Sequence, residues 1–472
     1  MPDAQRCQHH YLGVALVTPE SAASGMQVAS PQILAPDCSD AFDFWFGCRL
    51  ARVYMHEVDV VIIGAGAAGV AAASRLAATP ICALVLEARG RIGGRAWTTH
   101  ACGFPLDLGC GWLHSADENE WSTIAKKLGF EIDRTPPPWT RSAWQIGFPG
   151  KDQEDFGSAW KRLYMRLEEA AKQGIDRPAA EYLEPDCRWN GLLNAISSYI
   201  NGVELNGLSV LDHSRYRDTG VNWRVVRGLG AVIEAASSEF VIEFGSPATL
   251  IDHSGKQLRI ETPRGTVVAR AAIITVPPSI IACELPRFYP PLCEKLDAAH
   301  ALPLGLADKV FLGVDDATEL PQGTRLFGAI DRAATGSYHL RPFGRPIIEG
   351  YFGGQFAREL EEQGDGAFAR FAIEQIAALL GNDLRRRLHP LTESAWGRDP
   401  FARGSYSYAK IGQANARAVL AAPVNNRLFF AGEACSRYDF STAHGAYRTG
   451  IEAAEQVLRA LTSPGGHRTV GS

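Results

Sequence analysis

Apolar positions along this chain fall into two periods. Val58–Ile63, in "EVDVVIIGAG", is a short apolar run rich in β-branched residues. A strand covered on both faces needs no polar positions, so the run predicts a central strand of a parallel sheet. "AAGVAAASRLAA" predicts a helix after it, and "ALVLEA" a second strand ending at Glu87. "QLRIETPRGTVVARAAIITVP" reads as strand, turn and strand, and "RLFFAGE" as a further strand ending in glycine and acid. Helical spacing governs two other segments. "WKRLYMRLEEAAKQG" brings Trp160, Leu163, Tyr164 and Leu167 to one face, and "AFARFAIEQIAALLG" does the same for Phe368, Phe371, Ile376 and Leu379. Both stripes read as core.

The first 54 residues keep neither period and are broken by Pro, Ser and Gly. They lack the basic start and continuous apolar core of a secretory signal. A disordered extension is expected there, with Met55 as the functional start.

Bulk composition narrows the partners. A length of 472 residues suggests two or three domains, and 46% hydrophobic with 21% charged residues is ordinary for a globular protein. The net charge of −5 is spread without long runs, which argues against nucleic acid or an anionic membrane as the main partner. No stretch reaches the roughly 20 apolar residues of a membrane helix. Ten cysteines never form a C-x-x-C pair. They read as isolated thiols of a reducing, cytoplasmic compartment, with neither a disulfide frame nor a metal site.

Gly64, Gly66 and Gly69 form G-x-G-x-x-G at the end of the first strand. The first allows a tight turn, the second lets backbone approach a pyrophosphate, and the third lets the helix pack on the sheet. The helix N-terminus faces the phosphates, and Glu87 stands where a ribose hydroxyl would be accepted. NAD and FAD both suit this unit. "ARGRIGGRAWT" separates them: Arg89, Gly93, Gly94 and Arg95 form a second glycine-arginine turn, suited to holding FAD along its length, with Arg95 countering pyrophosphate charge. Near the other end, "STAHGAYRTGIEAAEQVL" predicts a helix beginning near Ser441, with Gly445 and Gly450 permitting close backbone approach. Its amide groups would face an electron-rich ring edge such as the flavin N1/O2 region.

Five segments in order, "VVIIGAGAAG…LEARGRIGGR", "LDLGCGWLH", "LADKVFL", "WGRDPFARGSYSY" and "FFAGEACSRYDFSTAHGAYRTG", resemble the FAD-dependent amine oxidase family of monoamine oxidases, polyamine oxidases and histone lysine demethylases. The likeness runs from about residue 57 to 460, and the last two segments are most similar to polyamine oxidases and the demethylase catalytic domain. The demethylases' long helical insertion and accessory domain are not found, so histone demethylation is set aside. The resemblance implies an α/β fold: a Rossmann-like FAD-binding domain from residues 55–116, 216–284 and 396–472, with an inserted α+β substrate-binding domain at 117–215 and 285–395. FAD would be held by Gly64, Gly66, Ala68 and Gly69, by Glu87, Ala88, Arg89, Gly94 and Arg95, and by Gly111, Trp112 and Ala248. Gly432, Glu433, Ser441, Thr442 and Ala443 would complete the set.

Flavin oxidation of an amine needs a neutral amine, an apolar site that excludes water, and oxygen to reoxidise the flavin. Lys309, opening an apolar strand, reads on its own as a surface lysine on an edge strand. The resemblance instead implies that it binds a water beside flavin N5 and promotes the reaction with oxygen. By the same resemblance Trp396 packs near the flavin and Tyr406 forms one wall of an aromatic cage. Ser405 replaces the flavin-linking cysteine of monoamine oxidases, so FAD is expected to be noncovalent. The second cage tyrosine is replaced at Ser441–Thr442, which widens the site for a longer or secondary amine. His114 matches a histidine at the pocket mouth of some polyamine oxidases, and a structural histidine is the alternative. Asp117, Glu118 and Glu120 could attract a polycation or begin a helix. The expected partners are a small amine and oxygen, in a monomer or homodimer. Three rivals are an α-amino-acid oxidase, a desaturase and a flavin scaffold without turnover. The first would need Arg141, Arg215 or another arginine in the pocket.

Overall fold

Residues 57–462 are described in this computed structural model. The expectation for residues 1–54 lies outside them. β1 (Glu57–Ile63) leads through a glycine turn into α1 (Ala67–Ala77) and back to β2 (Ala83–Leu86). Further along the chain, β3 (Ile242–Glu243), β4 (Leu250–Asp252), β5 (Leu258–Thr262), β6 (Gly265–Ile274) and β7 (Arg287–Tyr289) join the same sheet in the order β7-β4-β5-β6-β1-β2-β3. β1 is parallel to β2 and β6, while β5 and β6 form the antiparallel hairpin read from the sequence.

Both faces of this sheet are covered, which explains the unbroken apolar runs. Val60 and Ile62 of β1 pack with Ala271, Ile273 and the helix α1, whereas Val61 and Ile63 pack on the opposite side with Ala272, Ile274, Ile281 and Leu420.

A second, all-antiparallel sheet holds β8 (Ala307–Val314), β9 (Thr324–Phe327), β10 (Ser337–Leu340), β11 (Ile347–Gly353) and β12 (Leu388–Glu393), ordered β9-β10-β11-β8-β12. Alternation gives it two unlike faces. Even-numbered Val310, Leu312, Leu326, Tyr338, Leu340, Ile348 and Phe352 bury against Phe368, Ala372 and Ile376 of helix Ala367–Leu380. Odd-numbered Lys309, Arg325, Ser337, His339, Glu349 and Tyr351 share the other face by the strand register. Helices Gly150–Lys172 and Asn190–Asn201 carry their own core around Leu163, Leu167, Leu192 and Ile196.

β13 (Leu428–Phe430) then returns to the first sheet beside the end of β6, followed by the long helix Ala443–Thr462. That helix begins two residues later than its sequence suggested. Ser441 has a left-handed φ of 64°, and the Thr442 hydroxyl accepts the Gly445 amide at 3.0 Å, so Thr442 caps the first turn.

The chain's crossings between the two layers lie near two helices that pack on the first sheet. Trp121 and Ala125 of helix Glu120–Lys127 lie in the first sheet's core, as do Ala298 and Ala299 of helix Cys293–Ala301. Apolar faces of short helices carry no mark of which sheet they will cover, so sequence could not fix these crossings.

Helix Ala443–Thr462 lies against α1 at backbone distance. A Cβ on Gly450 would stand 2.2 Å from the Ala68 carbonyl oxygen. Gly450→Val should therefore separate the two helices and cost about 1–3 kcal/mol, the scale of overpacking. Urea denaturation of the purified variant should show the lower midpoint, and flavin should dissociate more readily.

Candidate active site

Three strand ends meet at one edge of the first sheet, at the turn Gly64–Gly66 after β1, at Thr275 after β6 and at Gly432 after β13. The carboxyl ends of parallel strands are where an open α/β sheet receives a ligand. A narrow cleft opens there, lined by Thr275, Val276, Arg95, Gly432, Glu433 and Ala434.

The two glycine turns face each other. Gly66 and Gly93 form an isolated parallel bridge, and a Cβ on Gly66 would point at Gly93 and Gly94 from 3.8–4.0 Å. Side chains here would fill the space between the turns. α1 starts at Ala67 with no side chain capping its first turn, so its first amides, those of Ala68 and Gly69 included, are left for an anion such as a phosphate. Glu87 is buried, its carboxylate accepting the Ala65 and Arg89 amides at 2.8 Å each. Each oxygen keeps a lone pair for a ribose hydroxyl. Ala88 follows it, and Ala248 lies just past Ser246, whose amide bonds the Glu87 carbonyl. These features fit a dinucleotide such as FAD. Arg89 pairs with Asp399 at 2.5 Å and Arg95 with Glu433 at 2.8 Å, so each guanidinium already has a carboxylate partner.

Glu433 gathers the far end of this cradle. It accepts Arg95 Nη1, both the amide and hydroxyl of Ser407, and the Ser441 amide. Burial alone would raise its pKa, but Arg95, Arg417 and the Ser407 hydroxyl outweigh burial and hold it below the usual carboxylate range. The Ser407–Glu433–Ser441 connection fixes the entry to helix Ala443–Thr462.

Ser405 is locked to β8: its hydroxyl accepts the Ala307 amide and donates to the Ala307 carbonyl, both at 2.8 Å. Next to it, the Tyr406 hydroxyl donates to the Tyr199 carbonyl, and burial raises its pKa. Trp396 is buried, with its indole nitrogen donating to the Leu108 carbonyl at 3.1 Å and its amide to Asp308 at 3.0 Å.

Lys309 departs from the surface-lysine reading. β8 has a neighbour on each side, so it is no edge strand, and Lys309 is only 9% exposed. Its Nζ donates to the Asp107 carbonyl at 3.0 Å and pairs with Glu349 at 3.1 Å. Gly111 lies alongside, where an added Cβ would stand 3.4 Å from Nζ. Glu349 is fully buried and also bonds Arg224 Nη1 at 2.8 Å. Burial pushes the Glu349 carboxyl up; Arg224 and Lys309 overcome that and keep it ionised. The Asp107 side chain is pushed up by burial, an effect Lys309 opposes. Tyr351 lies under the Lys309 ammonium, 5.4 Å from ring centre to Nζ.

His114 is half-buried and bonded through Nδ1 to Asn222 at 2.6 Å. Burial lowers its pKa, so it is neutral near pH 7. Trp112 stacks on His339 at 6.5 Å and meets Trp139 edge-on at 4.5 Å. Of the acids after His114, Glu120 opens a helix capped by Asn119 and pairs with Arg448, while Asp117 and Glu118 are exposed. Sequence reasoning missed Arg224, Arg325, His339, Glu349 and Tyr351. For His339, Glu349 and Tyr351 the signal was available in "SYHL" and "IIEGYFGG", where polar residues interrupt otherwise apolar strands at alternate positions.

Paired glycine turns suited to a dinucleotide, with a buried lysine and buried aromatic residues nearby, have the features of an FAD-binding oxidoreductase. The family profile of flavin containing amine oxidoreductase matches residues 67–177 and 164–458. The chain belongs to that family. Its relatives include polyamine oxidase 2 of Arabidopsis thaliana, 29% identical over 449 residues, with 86% of this chain and 89% of that protein covered. Lysine-specific histone demethylase 2 of Homo sapiens is 25% identical, with 85% of this chain but 53% of that protein covered. Among solved structures, putrescine oxidase bound to putrescine superposes with a TM-score of 0.68 at 19% identity, covering 85% of this chain and 99% of that one. Cyclohexylamine oxidase from Brevibacterium oxydans IH-35A gives a TM-score of 0.68 at 21% identity, with 86% and 99% covered. The cofactor is FAD, and the enzyme is an oxidoreductase acting on amines. Among the described residues no helix is long and apolar enough to cross a membrane.

The Glu349 cluster makes a stability prediction. Glu349→Gln would leave the Arg224 and Lys309 charges buried without their carboxylate, and should cost about 3–5 kcal/mol. Denaturant titration of the holoenzyme checks this: an unchanged midpoint would mean that the two cations find other partners.

Proposed function

We propose that this flavoenzyme oxidises a primary or secondary amine, polyamines included, to an imine and uses oxygen as the electron acceptor. The amine gives up a hydride equivalent from carbon and a proton from nitrogen, oxygen takes both as hydrogen peroxide, and water hydrolyses the imine to an aldehyde. Bound FAD supplies the two-electron chemistry between them. The cytoplasm is the proposed compartment, in keeping with the seven free cysteines of the described residues.

The buried Lys309 carries this reading. Its ammonium has three donors, of which two are directed to Asp107 and Glu349. The third is left to hold a water, or to place positive charge where oxygen is being reduced. Tyr406, held by Tyr199, walls the amine position and excludes water. Trp396, fixed by Leu108 and Asp308, supports the opposite wall of the flavin site. Neutral His114 keeps Nε2 available as an acceptor at the mouth. Ser405 spends its hydroxyl on β8 and has no thiol with which to link the flavin, which favours noncovalent FAD. The domain division read from the sequence is proposed with its crossings moved to the loops around residues 128–150, 215–224, 302 and 396.

Two experiments test these assignments. Acid or heat denaturation should release all flavin into the supernatant as FAD; flavin remaining on the precipitated chain would defeat the noncovalent reading. In Lys309→Met the protein should stay yellow while turnover with oxygen drops at least about ten- to hundredfold. Stopped-flow separates anaerobic flavin bleaching by amine from recovery on adding oxygen, and the oxygen half should suffer at least as much. If both rates match the unmodified enzyme, Lys309 has no role in the chemistry.

A further inference from the structure

The face of the second sheet that carries Lys309 also carries an arginine without a carboxylate. Arg325, on β9, lies opposite His339, which in turn lies opposite Glu349. Its Nε donates to the Ser337 hydroxyl at 3.0 Å and its Nη2 to the Tyr199 hydroxyl at 2.6 Å. Ser337 stands in register with Tyr351 and Lys309, two strands from β8. The guanidinium thus sits about 10 Å across the same sheet face from the lysine's strand, by two strand spacings. Tyr199 joins the two ends, because its carbonyl also receives the Tyr406 hydroxyl.

Charge on this face is unevenly matched. Glu349 is fully engaged by Arg224 and Lys309. Arg325 has no carboxylate within ion-pair distance among the described residues, and neither has Arg141, whose Nη2 goes to the Gly323 carbonyl. His339, in register between Arg325 and Glu349, is 7% exposed; its buried Nδ1 has no hydrogen-bond partner and stands 3.9 Å from the Glu349 carboxylate. Burial lowers the His339 pKa to about 4, helped by Arg224, Arg141 and Arg325 and opposed by Glu349. The ring is therefore neutral and can offer an N–H without adding charge. A second ammonium arriving here would meet two unpaired guanidinium groups. A carboxylate would find a fork-shaped donor and a neutral donor beside it.

We propose that Arg325, with His339 beside it, binds a carboxylate at the far end of the amine substrate, so that the enzyme prefers an amine with a distal acid over a diamine. This rests on the amine oxidase reading above and names the substrate class within it. Arg325 is the specificity-determining residue, some distance from the carbon that is oxidised.

Hexylamine, hexamethylenediamine and ε-aminocaproate share a six-carbon chain and differ at the end opposite the amine. Peroxide release by the holoenzyme should give ε-aminocaproate a kcat/KM at least about tenfold above the other two. Arg325→Gln should remove about ten- to hundredfold of that preference, chiefly through KM. Arg325→Lys, which keeps charge but not the fork, should retain part of it. Caproate, which has no amine to oxidise, gives a readout apart from turnover: calorimetry should detect tighter binding to the unmodified holoenzyme than to Arg325→Gln. Equal rates on all three compounds, or a preference for the diamine, would overturn the proposal while leaving amine oxidation standing. Oxidation of none of them would overturn the functional reading and this inference together.

Discussion

A carboxylate with no exposed surface, Glu349, has to be matched by positive charge from two directions. Arg224 comes from the segment that leads back to the first sheet, and Lys309 from the neighbouring strand of the second. An unpaired charge in that position would be too costly for a stable fold, so both cations must arrive with defined geometry. Lys309 is thereby fixed over Tyr351 and against the Asp107 carbonyl, next to Gly111. Well-packed apolar residues could fill such a space at lower cost. A network kept in spite of that cost is what the proposed role of Lys309 would require.

Glu433 has the corresponding place on the flavin side. It joins the second glycine turn through Arg95, the aromatic strand through Ser407 and the last helix through Ser441. The first of these pieces lies far from the other two in the chain, and each supplies backbone or glycine to the cradle. Their hydrogen bonds explain how Tyr406, one residue from Ser407, keeps a fixed place relative to the strand ends. The two acids thus have separate roles, one setting the cradle and the other setting the lysine that faces it.

The face of the second sheet that carries Lys309 is where the proposed substrate choice would be set. Lys309, Tyr351 and Ser337 lie in one row across it, with Glu349, His339 and Arg325 in the next. Rows of this kind grade from a compensated charge at one end to uncompensated arginine at the other. Under that proposal, electrostatic complementarity across such a distance would select among amines without altering the reacting centre.

The glycine spacing, the acid at Glu87 and the second glycine-arginine turn were legible in the sequence because each rests on local backbone requirements. Gly64 needs its positive φ, and Gly450 needs to have no Cβ, wherever the rest of the chain goes. The apolar periods likewise marked β1, α1, the β5–β6 hairpin and the helix Ala367–Leu380, since the sheet or helix period is written residue by residue. What tertiary structure alone decided was pairing between distant strands. Whether Lys309 is exposed or buried depends on β11 and β12 flanking β8, and whether Arg325 meets a carboxylate depends on the register of four strands. Those choices are made by contacts between segments far apart in the chain, where a one-residue slip would turn every side chain to the opposite face. The sequence by itself determined the cofactor cradle; the fold determined which charges look into the site.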